Sequence, residues 1–313
     1  MADVTRVIVD TDAGIDDVVA LAVAALSPEL EIVAVTTTYG NTTLDYATGN
    51  ATKVLTLVGR EDVNVFAGAS RPLKRDLVTA PETHGETGVG YAATQPAKVD
   101  QNHRALLDAL QLCGGSVVLV TLGPLTNLAN ALAHSRTEVE SKVTRHIGMF
   151  GSLSEKGCGD RWADFNCWSD PEASSIVINS RLNTEMVGLD VTRKMTLSAD
   201  EVTRLTRSTN PVTRWLGMAL QFYVESHREQ RRLDGCVIND VLPVGELISP
   251  GLLEFGEQSL RVALTDDEHR GRTMIDNSGT TVKVAKDVQI AGMRRLLARA
   301  FGSDWSTNLG EGK

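Results

Sequence analysis

The sequence predicts an α/β protein built on an open, doubly wound, mostly parallel sheet, with helices on both faces and a helical cap towards the C-terminus. Two observations carry that reading. Short β-branched runs alternate with longer helical patterns through the first half of the chain, and beyond Leu197 the pattern becomes mainly helical.

Taken in order, Arg6 to Val9 reads as a strand, Asp16 to Leu26 as a helix, Glu31 to Thr36 as a strand and Thr43 to Val58 as a helix. Val63 to Phe66 and Ser116 to Thr121 follow as strands around a helix from about His103 to Leu112. Another helix opens after Gly123-Pro124, where the fixed φ of proline suits a helix start. A strand near His146 to Phe150, a helix from Asp170-Pro171 and a strand at Glu185 to Leu189 complete the alternation. Helices at Ser198 to Arg207 and Pro211 to about Gln230 form the expected cap, before strand-like stretches at Ser259 to Leu264 and Thr281 to Val284. Such a sheet binds its ligand at the carboxyl ends of the strands. No long Pro, Gly or Ser linker and no internal repeat divides the chain, so residues 1–313 read as one domain, with a polar tail after Gly302 expected to be disordered.

Composition excludes several function classes. Hydrophobic residues are 42% and charged residues 23%, the balance of a globular protein with a sizeable core, and no window approaches the roughly 20 apolar residues of a spanning helix. Met1 to Arg6 lacks the basic run and apolar stretch of a signal peptide, so a cytoplasmic protein without membrane partners is expected. A net charge of -9 disfavours nucleic acid, whose binding depends on clustered Lys and Arg. Cys113, Cys158, Cys167 and Cys236 form no C-x-x-C pair and read as reduced, buried thiols.

The strongest local signal is Asp10-Thr11-Asp12-Ala13-Gly14-Ile15-Asp16-Asp17, four carboxylates in eight residues between an apolar strand and an apolar helix. Like charges crowded at a strand end repel unless a cation or a bound proton neutralises them. Asp16 and Asp17 alone would suit a solvated first helical turn, but Asp10 and Asp12 close a strand that reads as buried. Oxygen ligands without a nearby His or Cys point to a hard cation, calcium or magnesium. Aspartate-nucleophile phosphatases also place carboxylates after a first strand, but Gly14 stands where they carry Thr or Val, and Asp16-Asp17 would have no role there.

That stretch resembles the amino-terminal signature of the inosine-uridine-preferring nucleoside hydrolase family, and further matches follow along almost the whole chain. They are Tyr39-Gly40-Asn41, Thr83-His84-Gly85-Glu86-Thr87-Gly88, Gly123-Pro124-Leu125-Thr126-Asn127-Leu128-Ala129, Ala163-Asp164-Phe165-Asn166 with Asp170-Pro171-Glu172-Ala173, Gly188-Leu189-Asp190-Val191-Thr192, and Asn239-Asp240. The resemblance implies hydrolysis of the N-glycosidic bond of ribonucleosides. It implies a calcium ion held by Asp12, Asp17, Asp240 and the Leu122 carbonyl, supported by Asp10, with Asp16 as general base. Asn41, Asp164 and Asn166 match positions that hold the ribose hydroxyls, and Met149 a position beneath the sugar. Asp164 stands where the family usually has Glu, one methylene longer. A homodimer or homotetramer is expected by resemblance alone.

The base side departs from the family pattern. A His usually precedes the last metal carboxylate in the pyrimidine-accepting and nonspecific branches, whereas here Asn239 can donate a hydrogen bond but no proton. His227 and Arg231 share one helical face and match the family's base-facing stretch, so His227 is expected as the general acid and Arg231 as a base contact; the alternative is a solvated, charged helix face. His84 lies in a Gly-flanked loop suited to a pocket lid, and Trp162 and Trp168 are candidates for stacking on a base. A nucleoside-binding relative without turnover is the competing class, disfavoured by the intact Asp12, Asp16, Asp17 and Asp240 set.

Overall fold

The computed structural model of the protein describes residues 4–157, 161–265, 268–302 and 305; Cys158 and most of the polar tail lie outside them. Its strands are β1 (Thr5–Thr11), β2 (Leu30–Thr37), β3 (Asn64–Ala67), β4 (Val117–Thr121), β5 (Val143–Gly148), β6 (Thr184–Met186), β7 (Thr196–Ser198), β8 (Gly235–Val237), β9 (Leu253–Val262), β10 (Thr273–Ile275) and β11 (Thr280–Val288). Its helices are α1 (Ile15–Leu26), α2 (Leu44–Leu57), α3 (Pro81–His84), α4 (Ala105–Cys113), α5 (Thr126–Lys142), α6 (Phe165–Ser169), α7 (Pro171–Ile178), α8 (Leu189–Thr192), α9 (Ala199–Thr206), α10 (Pro211–Arg231), α11 (Val241–Ile248) and α12 (Ile290–Phe301).

Nine strands form one sheet in the order β10-β9-β11-β6-β5-β4-β1-β2-β3, while β7 and β8 pair separately. From β3 to β11 the neighbours run parallel, and only β9 and β10 are antiparallel additions at one edge. The chain leaves β1 towards β2 and β3 on one side and returns to β4, β5 and β6 on the other. The order therefore reverses between β1 and β4, where an open parallel sheet leaves a crevice beyond its strand ends.

Alternation within the central strands explains why both faces are covered. Val7 and Val9 of β1 join a core with α1, α2, α10, α11 and α12, whereas Ile8 joins a second core with α4, α5 and α7. Helix α1 is buried along nearly its whole length, so its apolar composition all round fits its place between the sheet and α10, α11 and α12. Among the described residues no helix is long and apolar enough to cross a membrane. Cys113, Cys167 and Cys236 are buried, unpaired thiols.

Two expectations change at the C-terminal half. The expected strand at Glu185 to Leu189 stops at Met186, and Leu189 begins α8, whose Asp190 accepts the Leu153 and Ser154 backbone N–H groups at 2.8 Å each. The expected cap is present as α9, α10, α11 and α12, but β9, β10 and β11 extend the sheet itself rather than lying over it.

Two of the helix starts read from the sequence are capped by side chains. Asn210 accepts the Val212 and Thr213 N–H groups ahead of Pro211, and Asp170 accepts the Ala173 N–H at 3.0 Å ahead of Pro171. Asp170 also accepts the Leu73 N–H at 3.0 Å and the Thr126 hydroxyl at 2.8 Å, which ties α7 to α5 and to the loop after β3. Asp170→Ala should therefore lower unfolding free energy in a urea titration by about 2–4 kcal/mol, more than a cap alone, because two further buried donors lose their acceptor. A loss below about 1 kcal/mol would show that water replaces those bonds.

Candidate active site

Strand β1 carries Asp10, Thr11 and Asp12 to the reversal point, where Asp10 lies beside Thr121 of β4. The chain then turns at Ala13, whose φ of 47° lies in the left-handed region. A non-glycine residue there costs about 1–3 kcal/mol. The Thr11 hydroxyl accepts the Ala13 N–H at 2.9 Å and Asn50 donates to the Ala13 carbonyl at 3.1 Å, which holds the turn. Helix α1 follows at once, so Asp12, Asp16 and Asp17 meet from three directions. Asp240, between β8 and α11, completes the group.

These carboxylates are almost without solvent: Asp12 and Asp17 are 0% exposed, Asp16 and Asp240 3%. Oxygens of Asp16, Asp17 and Asp240 lie within 4.8 Å of one another. Asp12 stands against Asp17 but outside that tightest set, with its oxygens accepting the Asn41 backbone N–H at 2.7 Å and the Asn41 side-chain amide at 3.0 Å. Asp17 accepts the Thr11 hydroxyl at 2.5 Å, the Gly14 N–H at 3.1 Å and the Asn41 amide at 3.1 Å. Asp16 accepts the Asn239 side-chain amide at 2.7 Å and the Asn239 backbone N–H at 3.1 Å, both on one oxygen.

Burial, then mutual repulsion, raises the Asp12 and Asp240 carboxyls well above the ordinary range and raises Asp17 as well. One oxygen of Asp240 is buried with no hydrogen-bond partner. An orphaned buried carboxylate oxygen among crowded carboxylates is what a missing hard cation would leave, so the donor set fits calcium or magnesium. Beneath it Asp10, lifted by burial to about 7, accepts the Asn127 amide at 2.7 Å and the Thr36 hydroxyl. Asn127 belongs to the Gly123-to-Ala129 motif.

A cleft opens over this group. Of the residues singled out in the sequence, Asp16, Asn41, His84, Leu122, Met149, Asp164, Asn166, Arg231, Asn239 and Asp240 line it. Asn166 donates to the Leu122 carbonyl at 2.7 Å and the Met149 carbonyl at 2.9 Å, and its amide oxygen takes no partner among the described residues. Asp164, the shorter residue, caps α6: one oxygen accepts the Asn166 N–H at 2.9 Å and the Cys167 N–H at 3.2 Å, the other the Gly151 N–H at 2.7 Å.

The histidines differ from expectation. His227 is not on the cleft wall but packs against Tyr223, with ring centroids 4.2 Å apart. Its Nδ1 accepts the Val237 N–H at 3.1 Å, and burial, with Arg231 nearby, drops its pKa to about 2. The structure thus does not bring His227 to the cleft wall, where an acid for the departing base was expected. His84 does line the cleft; burial lowers it to about 4, and its Nδ1 accepts the Ile15 N–H at 3.0 Å, leaving Nε2–H as a neutral donor. Trp162 and Trp168 are absent from the cleft wall. Lys156 and Arg272 cover the Trp162 ring at 4.8 Å each, and Arg161 and Arg270 cover Trp168 at 4.0 and 4.3 Å, so both rings bind neighbouring loops together.

Thr83, Phe165 and Leu189, which stand in the quoted motifs without an assigned role, also line the cleft, as do Gly157 and Tyr223, which were not singled out in the sequence. Tyr223 had a readable signal, since it lies four residues before His227 and eight before Arg231 on α10.

Comparison with known proteins agrees with this arrangement. Residues 7–295 match the family model described as inosine-uridine preferring nucleoside hydrolase. The pyrimidine-specific ribonucleoside hydrolase RihA of Citrobacter koseri is 35% identical over 305 residues, covering 93% of this chain and 96% of the relative. RihA of Photobacterium profundum is 36% identical over 307 residues, covering 95% and 98%. Among solved structures, the plant nucleoside hydrolase PpNRh1 superposes with a TM-score of 0.86 at 30% identity, covering 96% of this chain and 99% of that one. The purine-preferring ribonucleoside hydrolase of Gardnerella vaginalis gives 0.87 at 26% identity over the same shares. With the family model spanning nearly its whole length, this chain belongs to the inosine-uridine preferring nucleoside hydrolase family and is a ribonucleoside hydrolase.

Proposed function

We propose that the enzyme cuts ribonucleosides to free base and ribose with a calcium ion held by Asp12, Asp17, Asp240 and the Leu122 carbonyl, and with Asp16 as the base that takes a proton from the attacking water. The buried carboxylate group with an unpartnered Asp240 oxygen carries this reading. When bound, a hard divalent cation supplies charge neutralisation, acidification of water and ligand positions for sugar hydroxyls.

The chain's own groups do the rest. Asp16 lines the cleft while Asp12 and Asp17 do not, and both Asn239 donors sit on a single Asp16 oxygen, which leaves the other to accept a proton. Water entering opposite the base inverts the anomeric carbon, and the positive charge that grows there is met by the surrounding carboxylates. Asn166 offers its amide oxygen to a sugar hydroxyl, and Asp164 fixes Asn166 while keeping lone pairs for the sugar. His84, Tyr223 and Arg231 supply ring surfaces, a neutral imidazole donor and a cation to the base. The named relatives include pyrimidine-specific and purine-preferring enzymes, so the proposed substrate class is the ribonucleoside, with base choice made by these three residues. Assembly as a homodimer or homotetramer, expected from the resemblance, is checked by light scattering.

Asp16→Asn should fold and still take up calcium while losing turnover by about a thousandfold. Turnover within about tenfold of wild type, with a raised KM instead, would make Asp16 a sugar ligand and move the base role to Asp12.

A chelator should abolish activity and lower Tm, and calcium should restore both. The cation-free fold keeps protons on Asp12, Asp17 and Asp240 that the unfolded chain releases near its ordinary value of 3.8. Its stability is thus full below that value and falls as pH rises through the raised ones, so calcium's effect on Tm should grow as pH rises above 3.8. Full activity in a demonstrably metal-free sample would sink the calcium assignment.

Removing the 2'-hydroxyl should cost at least about a hundredfold in kcat/KM, because buried acceptors lose their partner. Equal rates on ribo- and deoxyribonucleosides would contradict the sugar contacts of Asn166 and Asp16.

A further inference from the structure

We infer that Thr273 and Arg270, at the antiparallel edge of the sheet, are positioning residues for the ribose subsite, holding the two segments from which Asp164 and Asn166 reach the cleft; this rests on the sugar role proposed for that pair. Helix α6, which carries Asn166, has only five residues. A helix of that length is not stable by itself, so its place must be set from outside. Support comes from the turn between β9 and β10, which closes through the Gly271 N–H on the Ala263 carbonyl and the Ala263 N–H on the Arg272 carbonyl, both at 2.9 Å.

Arg270 donates to the Ser169 carbonyl, at the C-terminal end of α6, at 3.2 Å and lies over the Trp168 ring at 4.3 Å. At Gly271 the two backbones touch: φ is 76°, and a Cβ there would come within 2.5 Å of the Cys167 carbonyl oxygen and 2.6 Å of the Trp168 Cα. Thr273, 1% exposed, grips the second segment. Its hydroxyl accepts the Ser152 N–H at 2.9 Å and donates to the Ser152 carbonyl at 2.6 Å. One residue earlier, the Gly151 N–H donates to Asp164 at 2.7 Å. Asp164 is also the N-cap of α6, so the two held segments are joined through its carboxylate.

The brace matters because Asn166 presents its amide oxygen only while its NH₂ group stays on the Leu122 and Met149 carbonyls, which follow β4 and β5. A shift of α6 by about 1 Å breaks that alignment, and a misplacement of that size can cost on the order of a hundredfold in rate. Thr273 and Arg270 do not line the cleft, so they touch no substrate and act through Asp164 and Asn166. Among the described residues their side-chain hydrogen bonds reach none of Asp12, Asp17 or Asp240, which separates the brace from metal binding. The antiparallel hairpin added to an otherwise parallel sheet thereby gains a task at the cleft.

The test compares Thr273→Val, which keeps the shape and removes the hydroxyl, with Thr273→Ser, which keeps it, and adds Arg270→Met. Each full-length enzyme is loaded with calcium and assayed on a ribonucleoside and on its 2'-deoxy analogue, with Asn166→Ala alongside and Tm measured with and without calcium. Thr273→Val and Arg270→Met should each lose about tenfold in kcat/KM on the ribonucleoside and less than about threefold on the deoxy analogue, while Thr273→Ser keeps wild-type discrimination to within about threefold. The calcium-induced rise in Tm should stay as in wild type. Adding Thr273→Val to Asn166→Ala should change the discrimination by less than about threefold, because the two act in series. Equal losses on both substrates, or equal discrimination in the Val and Ser variants, would overturn the brace. Lost discrimination in Asn166→Ala beside wild-type discrimination in Thr273→Val and Arg270→Met overturns the brace alone, whereas wild-type discrimination in Asn166→Ala overturns the sugar role on which it rests.

Discussion

Like charges held together out of water set the terms for the whole carboxyl end of the sheet. Asp12, Asp16, Asp17 and Asp240 are buried side by side, and each carboxylate stripped of hydration loses several kcal/mol unless something else faces it. The surrounding chain answers with donors. Asn41, Thr11, Gly14 and Asn239 aim hydroxyl and N–H groups at the cluster from four different segments. They do not neutralise it, as the raised carboxyls and the orphaned Asp240 oxygen show. A cation or bound protons are the remaining physical remedies, which makes charge balance and active-site geometry parts of one problem.

Close approach to Asp12 constrains the backbone around it. A methyl group at Gly40 would overlap the Asp12 side chain, and one at Gly123 would come within 3.1 Å of its carboxyl carbon. These glycines follow β2 and β4, the strands that flank β1, so the same packing that aligns the sheet closes the wall of the site. Asp10 and Asn127 form a second layer below, joining β1, β2 and the start of α5. Strand ends, turn geometry and acid placement are therefore hard to change independently.

The opposite wall follows a different rule. His84, Tyr223 and His227 form a chain of ring contacts along α3 and α10, and burial holds both imidazoles neutral. Neutral rings beside a carboxylate cluster divide the cleft into an anionic side suited to sugar hydroxyls and water, and an aromatic side suited to a planar base. Arg231 brings positive charge to that side without needing a proton from solvent.

The sequence by itself determined the alternation of strands and helices, the parallel sheet and the acidic cluster, because hydrophobic period, capping residues and local charge density are properties of neighbouring positions. Asp170-Pro171 and Pro211 marked helix starts from their own chemistry, and Asp10 to Asp17 stood out as a cluster that a solvated turn alone does not explain. Only the tertiary structure decided what each side chain faces. Nothing local to His227 says that the Val237 N–H will occupy its Nδ1 or that its ring will pack against Tyr223, which lines the cleft. Trp162 and Trp168 looked equally fit to stack on a base until cations from residues 156, 161, 270 and 272 covered them. Asn239 meets Asp16 across 223 residues and Thr192 across 47, so its orientation depends on three elements whose meeting is fixed by packing. Protonation and hydrogen-bond direction are set by burial and by partners distant in the chain, and both exist only once the fold has formed.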